Sequence, residues 1–294
     1  MQRKGRIGLD NDNRADNGYS ATYPIEFMSR KPIAFDMPAM IASLTKRLGR
    51  VKTGDMHSAG SALLFLEDYP VSFKDGSIPA QLFLCSAKAR QASAQQPTSI
   101  EQALQQSWEF RGASEIYKEC SHTFLLSNLM SSPLSHQVRR KIIANGLLAT
   151  LETMNVDLLH WQPTQQMLAP SAILERYSDP QQLANPVYGF LNVRFFNISD
   201  SDGNMVMDTL GLNALGLTDF QIHFRGLDPN TVARLMYNLG AYAFENGDII
   251  GDGHTVEGPN NGRWKCQHET SLLEPKRQVL DINPGPAFAV GNRR

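Results

Sequence analysis

The chain has 294 residues, 41% of them apolar and 19% charged, so it can bury one large core or two smaller ones. Its 28 basic and 29 acidic residues leave a formal charge of −1, without the basic excess of a protein that grips nucleic acid by its phosphates. Three widely spaced cysteines, Cys85, Cys120 and Cys266, with no paired CxxC spacing, argue against a disulfide framework and against structural zinc. No run reaches membrane-spanning length and the start lacks the apolar stretch of a secretory signal. A cytoplasmic protein with no nucleic-acid or membrane partner and no cofactor is expected.

Residues 1–30 are polar and without period, and read as a flexible arm. Asp36-Met37-Pro38 then opens a short helix that runs to Leu48. In 62–86, two β-prone runs flank Asp75-Gly76, a dipeptide that closes hairpins. The Ala-, Gln- and Ser-rich stretch 86–107 reads as an excursion, helical after Ser99. A strand over 122–130 follows. A helix from Ser135 to Met154 has Ile143, Leu147, Leu151 and Met154 at helical spacing, and a strand over 156–161 comes after it.

The same order recurs. A helix from Pro170 to Tyr177 leads to a hairpin over 187–209 around Asp202-Gly203, then a strand over 219–226. Asp228 caps a helix from Pro229 to Glu245, with Val232, Leu235, Met236 and Leu239 on its apolar side, and a strand over 248–252 is expected next. The expected fold is α+β, a two-layer sandwich of antiparallel or mixed sheets with helices. It would be built from two pseudo-repeats of helix, hairpin, insert, strand, helix and strand. The halves span 31–165 and 166–284, with a tail over 285–294.

The densest chemistry lies in 245–258, ENGDIIGDGHTVEG. Turn and cap roles account for its carboxylates and most of its glycines. The competing reading makes Asp248, Asp252 and His254, with His223 or His268, ligands of a divalent ion. No HxH or HExxH spacing puts two of them on one element. Residues 199–208 resemble a calcium loop but fail its spacing, since Gly203 stands fourth from Asp200 and Gly211 stands where the twelfth-position Glu belongs. Residues 211–217 begin like a phosphate loop, but Leu217 replaces the required lysine. Cys120 and His122 lie two apart, which gives proximity without an oriented triad. Trp108, Trp161 and Trp264, with Asp200 and Asp202, remain as candidates for contact with a partner.

NVRFF, MDTLGLNALGLTDFQIHF, YAFENGDIIGDGHTVEG and LLEPKRQVLDINP, preceded by FKDGSIPAQLFL and QQSWEF, resemble a bacterial family known as domain of unknown function 4261. The resemblance covers roughly 31–284. It carries no catalytic residues, and it implies a bacterial, cytosolic accessory or immunity protein of the kind that accompanies secreted antibacterial toxins. A non-enzymatic immunity protein that occludes a cognate toxin is therefore expected. The alternatives are a metal-dependent hydrolase built on Asp248, Asp252, His254 and His268, and a scaffold that self-associates through an open sheet edge.

Overall fold

The structure is a computed structural model that describes residues 22–54, 60–86, 97–178, 186–199, 201 and 203–291. Its first half runs β1 (Tyr23–Ser29), α1 (Met37–Leu48), β2 (Val51–Thr53), β3 (Ser61–Phe73), β4 (Gly76–Ser86), α2 (Thr98–Gln105), α3 (Ala113–Glu119), β5 (His122–Leu129), α4 (His136–Thr153), β6 (Leu158–Trp161) and β7 (Gln166–Leu168). The second runs α5 (Pro170–Ser178), β8 (Asn192–Asn197), β9 (Asn204–Leu210), α6 (Leu212–Leu215), β10 (Asp219–Arg225), α7 (Pro229–Asn246), β11 (Thr255–Glu257), β12 (Arg263–Thr270) and β13 (Gln278–Asn283).

Two sheets result, and the fold is α+β as expected. The first, in the order β2-β3-β4-β5-β1-β6-β7, is antiparallel throughout. The second, β11-β12-β13-β10-β9-β8, is antiparallel except where β13 lies parallel to β10. Both halves place a hairpin strand beside the next strand: β4 flanks β5, and β9 flanks β10. Beyond that neighbour they differ, since β5 meets β1 antiparallel whereas β10 meets β13 parallel.

Strand β1 corrects the arm boundary. Tyr23, Ile25 and Phe27 alternate inward and are fully buried, so 23–29 forms the interior of the seven-stranded sheet. The Asn- and Asp-rich stretch before it concealed that period-two pattern. The first part of the C-terminal tail is also tied down, because Arg225 donates its amide to the Phe288 carbonyl beside β10.

Helices α1 and α4 pack together, and α4 lies on β5. Gly146 presents only hydrogen to the methyls of Leu82 and Leu126, which lets the helix approach closely. Helices α2 and α3 cover part of the opposite face through Ile100, Tyr117, Met28 and Met167, adding a local third layer. Helix α7 covers β8, β9 and β10. One apolar cluster joins the halves, running from Leu82 and Trp161 through Phe190 to Met207 and Met236. Trp161 donates its indole N–H to Tyr23 Oη at 3.0 Å and meets the Phe190 ring edge-on at 5.0 Å.

The strand expected over 248–252 is absent. Gly247, at φ +81°, ends α7, and the Asp248 carboxylate turns back to accept the Thr218 amide at 2.9 Å and the Thr218 hydroxyl at 3.1 Å. That anchor holds the chain off the sheet and leaves Ile249 52% exposed.

Gly211 sits at φ +128° between halves, and a methyl there would overlap the Phe190 carbonyl oxygen and the Thr164 methyl. Gly211→Ala adds overpacking to backbone strain and should lower stability by about 2–4 kcal/mol, read from the urea midpoint. Gly247→Ala, at φ +81° and ψ −174° with open space around it, carries the backbone strain alone and should cost less than Gly211→Ala by the overpacking, about 1–3 kcal/mol. Equal costs at the two positions would contradict the packing described.

Candidate functional site

The second sheet carries a polar row across one face. Arg194, Asp208, Gln221, Asp281 and Gln267 stand in register on β8, β9, β10, β13 and β12. Asp208 accepts Arg194 Nε at 2.9 Å and Nη2 at 2.6 Å, and also Arg277 Nη2 at 2.9 Å. Arg277 Nε donates to Asp219 at 3.1 Å, and Asp219 also accepts the Thr209 hydroxyl and the Leu212 amide. Arg194 Nη1 reaches Gln165 Oε1 in the first half and the Glu274 carbonyl, each at 2.8 Å.

The four charged groups joined by ion pairs, Arg194, Arg277, Asp208 and Asp219, are buried, two guanidiniums against two carboxylates, and Asp281, buried in the same row, accepts the Gln221 side-chain amide at 3.1 Å. Burial pushes the Asp219 carboxyl up from its ordinary value, against the pull of Arg277. Burial alone would lower Arg277, but Asp219 and Asp208 outweigh it and raise it. These groups are spent on one another and on backbone carbonyls. They clamp β8, β9, β10 and the β12–β13 connection rather than present free acids or bases.

The residues of 245–258 separate in the same way. Asp248 is committed to Thr218. His254 Nδ1 accepts the Gly251 amide at 3.2 Å, closing its own turn. Only Asp252 and His268 meet, through the His268 amide at 2.6 Å and its ring nitrogen at 2.9 Å, on an exposed surface. His223 faces the C-terminal segment near Gly291. Among the described residues no three His, Cys, Asp or Glu side chains gather in a group able to hold a metal ion. Burial raises the Cys266 thiol to about 11, so it is protonated at neutral pH.

The tryptophans divide sharply. Trp161 and Trp264 are buried and cannot reach a partner, which corrects their candidacy. Trp264 lies under Gly258, where any Cβ would overlap the indole, and this packing explains that glycine. Trp108 is 60% exposed. Asp200 and Asp202 lie outside the described residues.

Trp108 stands on a cleft of about 490 Å³, within the size range of ligand pockets. The free edge of each sheet contributes to its lining: β7 through Gln166, Met167 and Leu168, β8 through Asn192 and Val193. Helix α7 adds Arg234 and Tyr237. Arg176 lies 4.2 Å above the Tyr188 ring and 3.8 Å from Glu109, while the Tyr188 hydroxyl donates to Glu109 at 3.1 Å. Burial, then Glu109, raise the Tyr188 hydroxyl to about 12, so it stays protonated and donates.

The connection between α2 and α3 wedges between the edges. The Gln106 side-chain amide pairs with both backbone groups of Phe195, each at 3.2 Å, as a neighbouring strand would. Ser107 Oγ accepts the Met167 amide at 2.6 Å. None of the cleft residues except Trp108 was a sequence candidate. Their elements lie far apart in the chain, and Gln106 and Phe195 alone are 89 positions apart.

Residues 208–283 match the family model described as Domain of unknown function (DUF4261), spanning β9 to β13 and carrying Asp208, Asp219, Asp281 and Arg277. The match supports the family resemblance over the segment that holds the ion network apart from Arg194. No curated protein and no solved structure matches the chain.

Arg277→Met should lower stability by about 3–5 kcal/mol, because it strands Asp219 with much of its compensation gone. Calorimetry or denaturant unfolding measures this, and a loss below 1 kcal/mol would contradict a structural role. The Asp252 carboxyl is held below the ordinary carboxylate range of about 3.9, first by the His268 amide and then by its ring. Its contribution to stability is therefore present above the unfolded value and lost as pH falls through the lower folded value. NMR titration should place Asp252 below that range in the wild type. In His268→Ala it should return only partway, because the backbone amide remains.

Proposed function

We propose that this chain is a non-enzymatic protein-binding protein, most concretely an immunity protein that neutralises a toxin by occluding it. What supports the reading is the exposure of Trp108 beside a polar-rimmed cleft. A large indole left 60% in water, next to a stacked Arg176–Tyr188 pair, has the composition of an interface anchor. The strongly interacting charges of the second half, by contrast, are spent internally. Occlusion needs shape and charge complementarity over roughly 800 Å² of surface and no reacting groups.

The test is co-purification from the native host together with growth of cells that express the captured partner. One partner should be retained stoichiometrically, and the chain should restore growth. Trp108→Ala should weaken the complex about 30-fold or more, the loss of one anchor residue, with the circular dichroism spectrum unchanged. Isolation as a lone species with no protection, or wild-type affinity in Trp108→Ala, would contradict the proposal.

A further inference from the structure

The cleft has a backbone floor with a definite hydrogen-bond register. In an antiparallel pair, alternate residues turn their N–H and C=O toward the partner strand and the rest turn them away. Two observations fix which residues of β8 are which. Phe195 gives both backbone groups to the Gln106 side chain, on the side away from β9. On the near side, the Ile198 amide donates to the Asn204 carbonyl, so 198, and with it 196 and 194, belongs to the set bonded to β9. Val193, two residues before Phe195, therefore turns its N–H and C=O outward at the edge of the sheet, and Val193 lines the cleft.

Free sheet edges are usually blunted by lysine, proline, a bulge or a covering element. Here Gln106 covers one outward residue and stops. It already supplies one amide of a would-be seventh strand beside β8, and the next position in the same register is open to the cleft. The lining charges are Arg176 and Arg234 against Glu109, and Glu109 is engaged by Tyr188 and Arg176. Among the described residues Arg234 has no carboxylate within ion-pair distance; it donates to the Thr231 hydroxyl at 3.2 Å and feels Asp228 only at longer range. Trp108 and Tyr237 offer apolar surface beside these cations.

We infer that the cleft takes an extended, acidic peptide segment of a protein partner by strand addition to β8. The peptide exchanges backbone hydrogen bonds with Val193 in the register that Gln106 marks at Phe195. Its alternate side chains meet Trp108 and the Arg234 face of α7. This mode of recognition rests on the protein-binding reading above and specifies what the partner presents.

The test uses the full chain and three fluorescein-labelled decapeptides: one alternating valine with glutamate, its lysine-for-glutamate counterpart, and the glutamate peptide N-methylated at alternate nitrogens. Fluorescence anisotropy should show binding of the first. Loss of charge complementarity or of the backbone bonds should weaken the other two about tenfold or more. Val193→Pro removes the outward N–H at an edge position where proline is compatible with a strand, and should cost the glutamate peptide about tenfold. Because the N-methylated peptide probes the same bonds on the wild-type chain, a misfolded variant does not blunt the test.

Equal binding of all three peptides, or no binding of the glutamate peptide at about 1 mM, would overturn strand addition. So would a doubling of mass in light scattering that Val193→Pro abolishes, which would assign the edge to a second copy of the chain. If the peptides fail while one partner still co-purifies through Trp108, strand addition alone falls. If the peptides bind but no partner is retained and no cells are protected, the occlusion reading falls.

Discussion

A single carboxylate carries two guanidiniums in the interior of this protein. Asp208 takes the fork of Arg194 from one side and Arg277 from the other, and Arg277 passes on to Asp219. Charges buried this deeply are costly unless each finds several partners, and here each does. The geometry fixes five pieces at once: β8, β9, the start of β10, the connection between β12 and β13, and, through Gln165, the end of the first half. Apolar packing alone tolerates slippage of a short strand. A bidentate ion pair does not, so the network sets the position of β8 to within a hydrogen bond.

That precision matters because β8 is the last strand of its sheet. Its inner side is held by β9 and by Arg194, and its outer side looks into the cleft. The wedge at 106–109 closes part of the gap between the two sheet edges with side chains that imitate backbone, and it exposes Trp108 in doing so. The chain's charged chemistry thus divides by depth. The buried groups hold architecture, while at the cleft rim Arg176 and Glu109 pair beside Tyr188 and Arg234 faces outward on α7.

Much of the fold was legible in the sequence because it rests on local rules. Asp228 caps α7 through its side-chain oxygen as expected, and Asp36 and Ser135, at the expected starts of α1 and α4, cap theirs in the same way. The hairpin at Asp75-Gly76 and the apolar stripe of α7 follow from turn chemistry and period. Failures came where tertiary partners override local preference. Asp248 looked like the start of a strand and is instead drawn to Thr218, 30 positions away. Tyr23–Ser29 looked like the end of a polar arm and is a central strand, because its neighbours in the sheet come from residues about 90 or more positions later, such as His122 opposite Ser29. The candidate site was legible only at Trp108, since a cleft between two sheet edges has no sequence motif.

The most direct measurement is hydrogen exchange along β8 in the free protein. Adjacent residues should behave oppositely: the Arg194 amide, bonded to β9 in a strand whose guanidinium Asp208 holds, exchanges slowly, while the Val193 amide exchanges fast. Slow exchange at Val193 in the monomer, or equal rates at the two positions, would contradict both the register of the edge and the open cleft built on it.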